Sequence, residues 1–246
     1  MSVVDHRLAR RRLRRREQGA RRVLGRVLVL LGLIALLTGA AWVAKSPYLR
    51  VSHIEVSGAA HSRPGMAFRE AGLRLGIPLV SVRGSRVEAA LRSDPWVARA
   101  HVTLAFPDTV QVTVEERSPL IRLRSGRSWL LVARDGTVLG PWKGDEDIPV
   151  VAVDVGPLHP GDRIESPVGR GALQLLAALP SALHAGAQVK VEGGELWAKV
   201  DGRRVRLGRP VEMKAKAAAL AALLAEGIPK GAEVNVVAPS RPAVRF

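Results

Sequence analysis

Cysteine is missing altogether from the 246 residues. Its absence excludes a disulfide framework, a thiolate nucleophile and a lipid-anchor cysteine. It leaves the redox compartment open, because a fold without disulfides survives on either side of a membrane. Asparagine occurs once, at Asn235, and 31 of the 38 basic residues are arginine. Heat adaptation and a GC-rich genome account for that bias equally well. Enzyme signatures are missing too. There is no G-x-S-x-G, Walker A run, G-x-G-x-x-G, H-E-x-x-H or S-x-x-K. The six histidines are scattered without ligand spacing. Asp145-Glu146-Asp147 has the oxygens for a hard cation, but a calcium loop needs alternating ligands and a turn glycine, so it reads as a solvated loop. His101 near Glu115 reads as a surface pair and Trp96 as core. No catalysis, metal, cofactor or small-molecule substrate is expected.

What the chain does have is positive charge, unevenly spread. The formal net charge is +16, and Met1–Arg26 carries ten arginines against Asp5 and Glu17. Half the excess therefore sits on a short tail. Nucleic-acid binding is the obvious reading of such a tail, but the next segment offers a better one. Residues 27–44, "VLVLLGLIALLTGAAWVA", contain no charge. As a helix they reach roughly 27 Å, enough for a hydrocarbon core. Their Leu, Val and Ile residues favour insertion by roughly 3–6 kcal/mol. Trp42 and Tyr48 fall where aromatic rings meet headgroups. A cleaved signal peptide ending at Gly39-Ala40-Ala41 is the competing reading, but the apolar run exceeds the usual span of about 7–15 residues. The positive-inside rule, acting through Arg21, Arg22 and Arg26 with Trp42 at the far end, then predicts a cytoplasmic N-terminus and an extracytoplasmic bulk. The arginines need no nucleic acid, and none is expected as a partner.

The exterior begins with an alternating strand, "VSHIEVSG" (51–58), followed by two short helices at "PGMAFREAGLRL" (64–75) and "SRVEAALRS" (85–93). Next comes "DPWVARAHVTLAFPDTVQVTVEERSP" (94–119). Ala100, Val102, Leu104 and Phe106 share one side of its first strand; Val110, Val112 and Val114 share one side of its second. All are even-numbered, so cross-strand partners must sum to an even value. That parity predicts a three-residue turn, Pro107–Thr109, or a five-residue one. Strand, helix, helix, strand, strand makes a small α+β sandwich. After Pro119 come short strands at 119–123, 128–133 and 136–140, a helical stretch at 166–183 broken by Pro180, and a meander at 188–208. Pro210 suits the first turn of a last helix. Its core stripe is Met213, Ala217, Leu220 and Leu224, with Glu212, Lys214 and Lys216 outside. A final strand lies near Val234–Val237, with a tail to Phe246. The apolar Val234, Val236, Val237, Val244 and Phe246, with Asn235 among them, either finish the core or form an exposed edge open to β-augmentation.

"VSHIEVSG", "GLRLGIPLVSV", "DPWVARAHVTLAFPDTVQVTVEERSPL", "DGTVLG" and "VRLGRPVEMKAKAAALAALL", in this order behind one span, resemble the FtsQ/DivIB family of bacterial cell-division proteins. The resemblance implies a basic tail (1–26), a transmembrane helix (27–44), a POTRA domain (polypeptide-transport-associated) of β-α-α-β-β type over 51–119, and a mixed β domain with two helices over 120–246. It implies a non-enzymatic membrane scaffold at the division septum that binds FtsB/FtsL-type single-span partners. Part of that binding is addition of a partner strand at an edge formed by Val234, Asn235, Val236, Val237, Val244 and Phe246. This chain departs from the usual pattern at its end, where Asn235-Val236-Val237 and Pro239–Pro242 replace the customary residues. The alternative function is a POTRA-bearing component of a protein-transport system. That class usually needs an outer-membrane barrel, for which too little chain remains after Pro119.

Overall fold

A computed structural model describes residues 25–39, 42, 46–144 and 148–246. Residues 25–39 are helical and solvent-facing along their length. Among the described residues no helix is long and apolar enough to cross a membrane. Part of the apolar run at 27–44, Arg21, Arg22 and the Asp145–Asp147 loop lie outside the described residues; Arg26 and Trp42 lie within them and are exposed.

The chain divides into two compact units. The first comprises the described residues through Glu55 together with Leu73–Arg83 and Thr103–Gln111. Here Ser46 caps a 3₁₀ turn at Pro47–Leu49. The chain then threads between two neighbours. Val51 donates to Ile77 and accepts from Gly76, and Ser52 donates to the Asp108 carbonyl. Val51, Leu79 and Val110 are fully buried.

The second unit comprises Val56–Gly72, Gly84–Val102 and Val112–Phe246. Strands β1 (His53–Ser57), β2 (Val97–Ala105) and β3 (Thr109–Glu116) run through both units and pair in the order β1-β3-β2. Helix α1 (Pro64–Ala71) starts on a proline, whose missing N–H costs nothing in a first turn. It stops at Gly72, which takes the left-handed conformation of a C-terminal cap. Helix α2 (Gly84–Leu91) buries Val87 and Leu91, the face its periodicity marks. The even-numbered residues of β2 and β3 are the covered ones and the odd-numbered neighbours the exposed ones, apart from Val97, Ala105 and Thr109 at the strand ends. The turn has the three-residue length that parity requires, but it is Phe106–Asp108, one residue earlier than expected. Phe106 therefore leaves the covered face and is 66% exposed. The surface pair changes with it. Arg99 reaches Glu115 at 3.0 Å, while His101 faces Glu88 at 3.4 Å on α2.

The rest of the second unit is one nine-stranded mixed sheet in the order β12-β11-β10-β9-β8-β7-β4-β5-β6. Its strands are β4 (Pro119–Ser125), β5 (Ser128–Ala133), β6 (Val138–Pro141), β7 (Val150–Ala152), β8 (Gln188–Glu192), β9 (Glu195–Val200), β10 (Arg203–Gly208), β11 (Glu233–Asn235) and β12 (Ala243–Arg245). Two parallel pairs, β7 with β8 and β10 with β11, are joined through helices α3 (Pro167–Ala178) and α4 (Met213–Ala225). A parallel neighbour requires such a crossover, because a tight turn can only reverse the chain. Ala172, Leu175 and Leu176 of α3 and Met213, Ala217 and Leu220 of α4 join Ile121, Leu123, Val151, Val189, Val205 and Val234 in one core. Ser166 caps α3 as a serine before a first-turn proline should. Leu179 ends the helix, and Ser181–Leu183 is a separate 3₁₀ turn after Pro180. Helix α4 starts at Met213, later than Pro210 implied. Strands β7 and β12 are too short to announce themselves by alternation.

Candidate functional site

The two edges of the large sheet are β6 and β12, and they differ. Along β6, the outward groups of Val138 are taken: its N–H donates to the Asp162 carbonyl and its carbonyl accepts from Gly161. The strand then stops at Pro141, which has no N–H to offer. Along β12, the inner side is paired to β11 in the register Glu233 with Arg245, Val234 with Val244 and Asn235 with Ala243. Among the described residues the outer side of β12 carries no backbone partner. An open row of N–H and C=O groups is a template for another strand.

The structure sorts the six residues expected at this edge into three kinds. Val234 and Val236 are fully buried, packed into the main core, and the Val236 N–H donates to the Arg206 carbonyl at 3.0 Å. They position the edge and present no side chain to a partner. Asn235 turns its side chain back, accepting from the Val237 N–H at 3.0 Å. Val237 is partly exposed and lies over Gly208, where a Cβ would come within 3.1 Å of its methyl. Val244 is half-buried against the core. Phe246 is 89% exposed, an apolar ring held in solvent beside the open strand.

Two buried cations hold the edge in place. Lys216 is 1% exposed, where an outward lysine was expected on α4. Its Nζ donates to the carbonyls of Leu207 and Arg209 at 2.7 and 2.9 Å, binding α4 to the end of β10. Burial pushes its pKa down, and Glu212 opposes that shift. Arg203 donates through Nε to the Ile228 carbonyl at 2.9 Å, fixing the loop that leads from α4 into β11. The pattern carried one signal for Lys216: it stands three residues after Met213 and four before Leu220, on the flank of the core stripe.

The face of the sheet beside this edge carries a ladder that sequence reading passed over. Arg204 lies over the Trp197 ring at 4.3 Å, and Arg206 stands 5.9 Å from it. Arg206 bonds Glu195 at 2.8 Å; Arg204 and Lys190 both bond Glu192. The hydrogen bond from Arg206 lowers the Glu195 pKa, and that from Lys190 leads the lowering at Glu192. Alternation in "RRVRLG" was the available signal, since Arg204 and Arg206 stand two apart on its outward face.

Elsewhere in the same unit the Glu116 carboxylate gathers the loop before α1. It accepts from the N–H groups of His61 and Ser62 and from the Ser62 hydroxyl. Burial works to raise its pKa, but these donors outweigh it and hold the pKa at about 2. His61 stacks on half-buried Trp96 at 4.4 Å. Arg117 donates to the carbonyls of Pro95 and Val97 and reaches Asp135 at 2.9 Å in the turn after β5. No group of three or more metal-ligating side chains occurs among the described residues.

A POTRA domain model of the FtsQ type matches residues 49–117, and the model for the C-terminal part of cell-division protein FtsQ/DivIB matches residues 121–237. The chain belongs to the FtsQ/DivIB family of cell-division proteins. Curated relatives named cell division protein FtsQ agree over most of the length. One from Streptomyces bingchenggensis is 31% identical over 96% of this chain and 89% of its own. One from Rhodothermus marinus is 31% identical over 81% of this chain and 77% of its own. One from Chloroflexus aurantiacus is 30% identical over 76% of this chain and 71% of its own. For this family member the POTRA domain and the mixed β domain together account for the α+β fold.

Proposed function

We propose that this chain is a bitopic membrane scaffold of the division machinery, holding FtsB/FtsL-type single-span partners at the septum without catalysis. In this reading residues 1–26 are a cytoplasmic tail, 27–44 the span, 51–119 the POTRA domain and 120–246 the β domain. The POTRA domain serves recruitment. The β domain takes a partner strand onto β12, which becomes the next-to-last strand of an enlarged sheet. The observation that carries the reading is the contrast between edges: β6 is covered at Val138 and ended by a proline, while β12 is open and flanked by the solvent-held Phe246. Backbone pairing supplies affinity in such additions and neighbouring side chains supply specificity.

The test uses full-length protein in nanodiscs and a purified FtsB-type partner. Phe246→Ala and Val244→Pro should each weaken binding by tenfold or more while the far-UV circular dichroism is unchanged. Equal binding by both variants would reject β12 as the docking edge. Recovery from native membranes of a translocated substrate, with no small single-span protein, would reject the scaffold itself.

A further inference from the structure

The end of the POTRA domain where the chain enters is apolar at its tips. Tyr48, Leu75, Val80 and Phe106 are 83%, 61%, 53% and 66% exposed. They come from three stretches that the backbone ties together. Val51 bonds Ile77 and Gly76, Arg50 bridges Pro78, and Ser52 donates to Asp108 in the hairpin turn. All three stretches belong to the first compact unit. Soluble surfaces scatter such residues singly; four at one end call for a neighbour. Arg50 and Arg74 stand exposed among them. The acidic groups nearby are engaged: Asp108 with the Ser52 hydroxyl and His53, Glu55 with Gln111.

Chain length says what the neighbour is. Ser46 is the second residue after the apolar run ending at Ala44, so it lies within about 7 Å of that end. The next three residues form a compact 3₁₀ turn, adding only about 6 Å. The interfacial layer outside a hydrocarbon core is itself about 5–7 Å thick. A chain this short holds the entry end of the domain at the bilayer surface.

We propose that this end is a lipid-contact surface: Tyr48, Leu75, Val80 and Phe106 enter the headgroup–acyl boundary of the outer leaflet, and Arg50 and Arg74 bond lipid phosphates. Apolar tips with flanking arginines are the composition that binds an anionic interface. The proposal rests on the reading of residues 27–44 as a span. Its consequence is that the entry end of the POTRA domain rests on the membrane and does not swing from a tether.

Because the chain lacks cysteine, single-cysteine labels test this directly. Full-length Leu75→Cys, Val80→Cys, Phe106→Cys and Leu33→Cys, each carrying a fluorophore, are placed in phosphatidylglycerol-containing nanodiscs with doxyl-labelled lipid. The labels at 75, 80 and 106 should be quenched at least half as strongly as that at 33. Adding Leu75→Glu with Phe106→Glu should cut quenching at Val80→Cys at least threefold with an unchanged circular dichroism spectrum. Quenching at 33 alone, with the other three no more quenched than free dye, overturns the lipid contact and leaves the span standing. No quenching at 33 overturns both. Labels that stay wet until an FtsB-type partner is added identify a protein interface and overturn the proposal.

Discussion

Lys216 shows how a single residue can be misread from its chemistry. A lysine on a helix is placed outward by default, since burying an ammonium group is costly. Here the carbonyls of Leu207, in β10, and Arg209, just after it, accept its hydrogen bonds, and nothing in the local sequence announces them. Replacing it with alanine would take the charged donor from the buried Leu207 carbonyl, while the Arg209 carbonyl keeps the Val211 N–H, so Lys216→Ala should destabilise the protein by about 1–3 kcal/mol in urea unfolding. Glu116 offers a second residue-scale prediction with a sign. Its folded pKa, about 2, lies below the ordinary 4.5. Its contribution is therefore complete above pH 4.5 and fades as pH falls through 2. The difference corresponds to at most about 3 kcal/mol. Glu116→Gln should lower the urea midpoint at pH 7 and should have little effect on it near pH 2.

Elements were more legible than single residues. The helices, the β2–β3 parity and the meander follow from period and punctuation, which are local. The one-residue offset of the hairpin turn was not legible, because parity fixes whether the sum of partners is even but not which even number it is. The ion pair of Arg99 with Glu115 is the cross-strand pair that the Phe106–Asp108 turn places opposite. Strands β7 and β12, three residues each, were not legible either: β7 exists only through partners distant in sequence, and β12 is too short to alternate. The candidate edge was legible as a place and not as a surface: alternation put valines at 234 and 236, and only the fold shows both facing the core. Val236→Pro should therefore unfold the C-terminal layer, since it removes a ladder hydrogen bond and a buried side chain. Gly58 ends β1 at φ +80°, and a Cβ there would stand 2.0 Å from the Val114 carbonyl oxygen. Gly58→Ala should cost about 3 kcal/mol or more, read as a lowered melting temperature, with the loss centred on the POTRA sheet.

At the scale of the whole molecule, the family is carried by order and spacing along nearly the full chain, which is why no single motif decides it and the set does. The large sheet has a further property. From β7 to β12 its neighbours are consecutive in the chain, and only the β4–β7 contact skips over intervening strands. Such a sheet can be laid down one strand at a time as the polypeptide is made, each new strand finding the last one already in place. Contacts between strands consecutive in the chain close shorter loops than contacts that skip strands would, which favours stepwise ordering. The last two strands are short and lie at the advancing front, so amide hydrogen exchange should be slowest in β8–β10 and fastest in β11 and β12. A partner strand arriving at β12 would then be one more step of the same growth, supplied by a different chain, and its arrival should slow exchange in the two strands behind it.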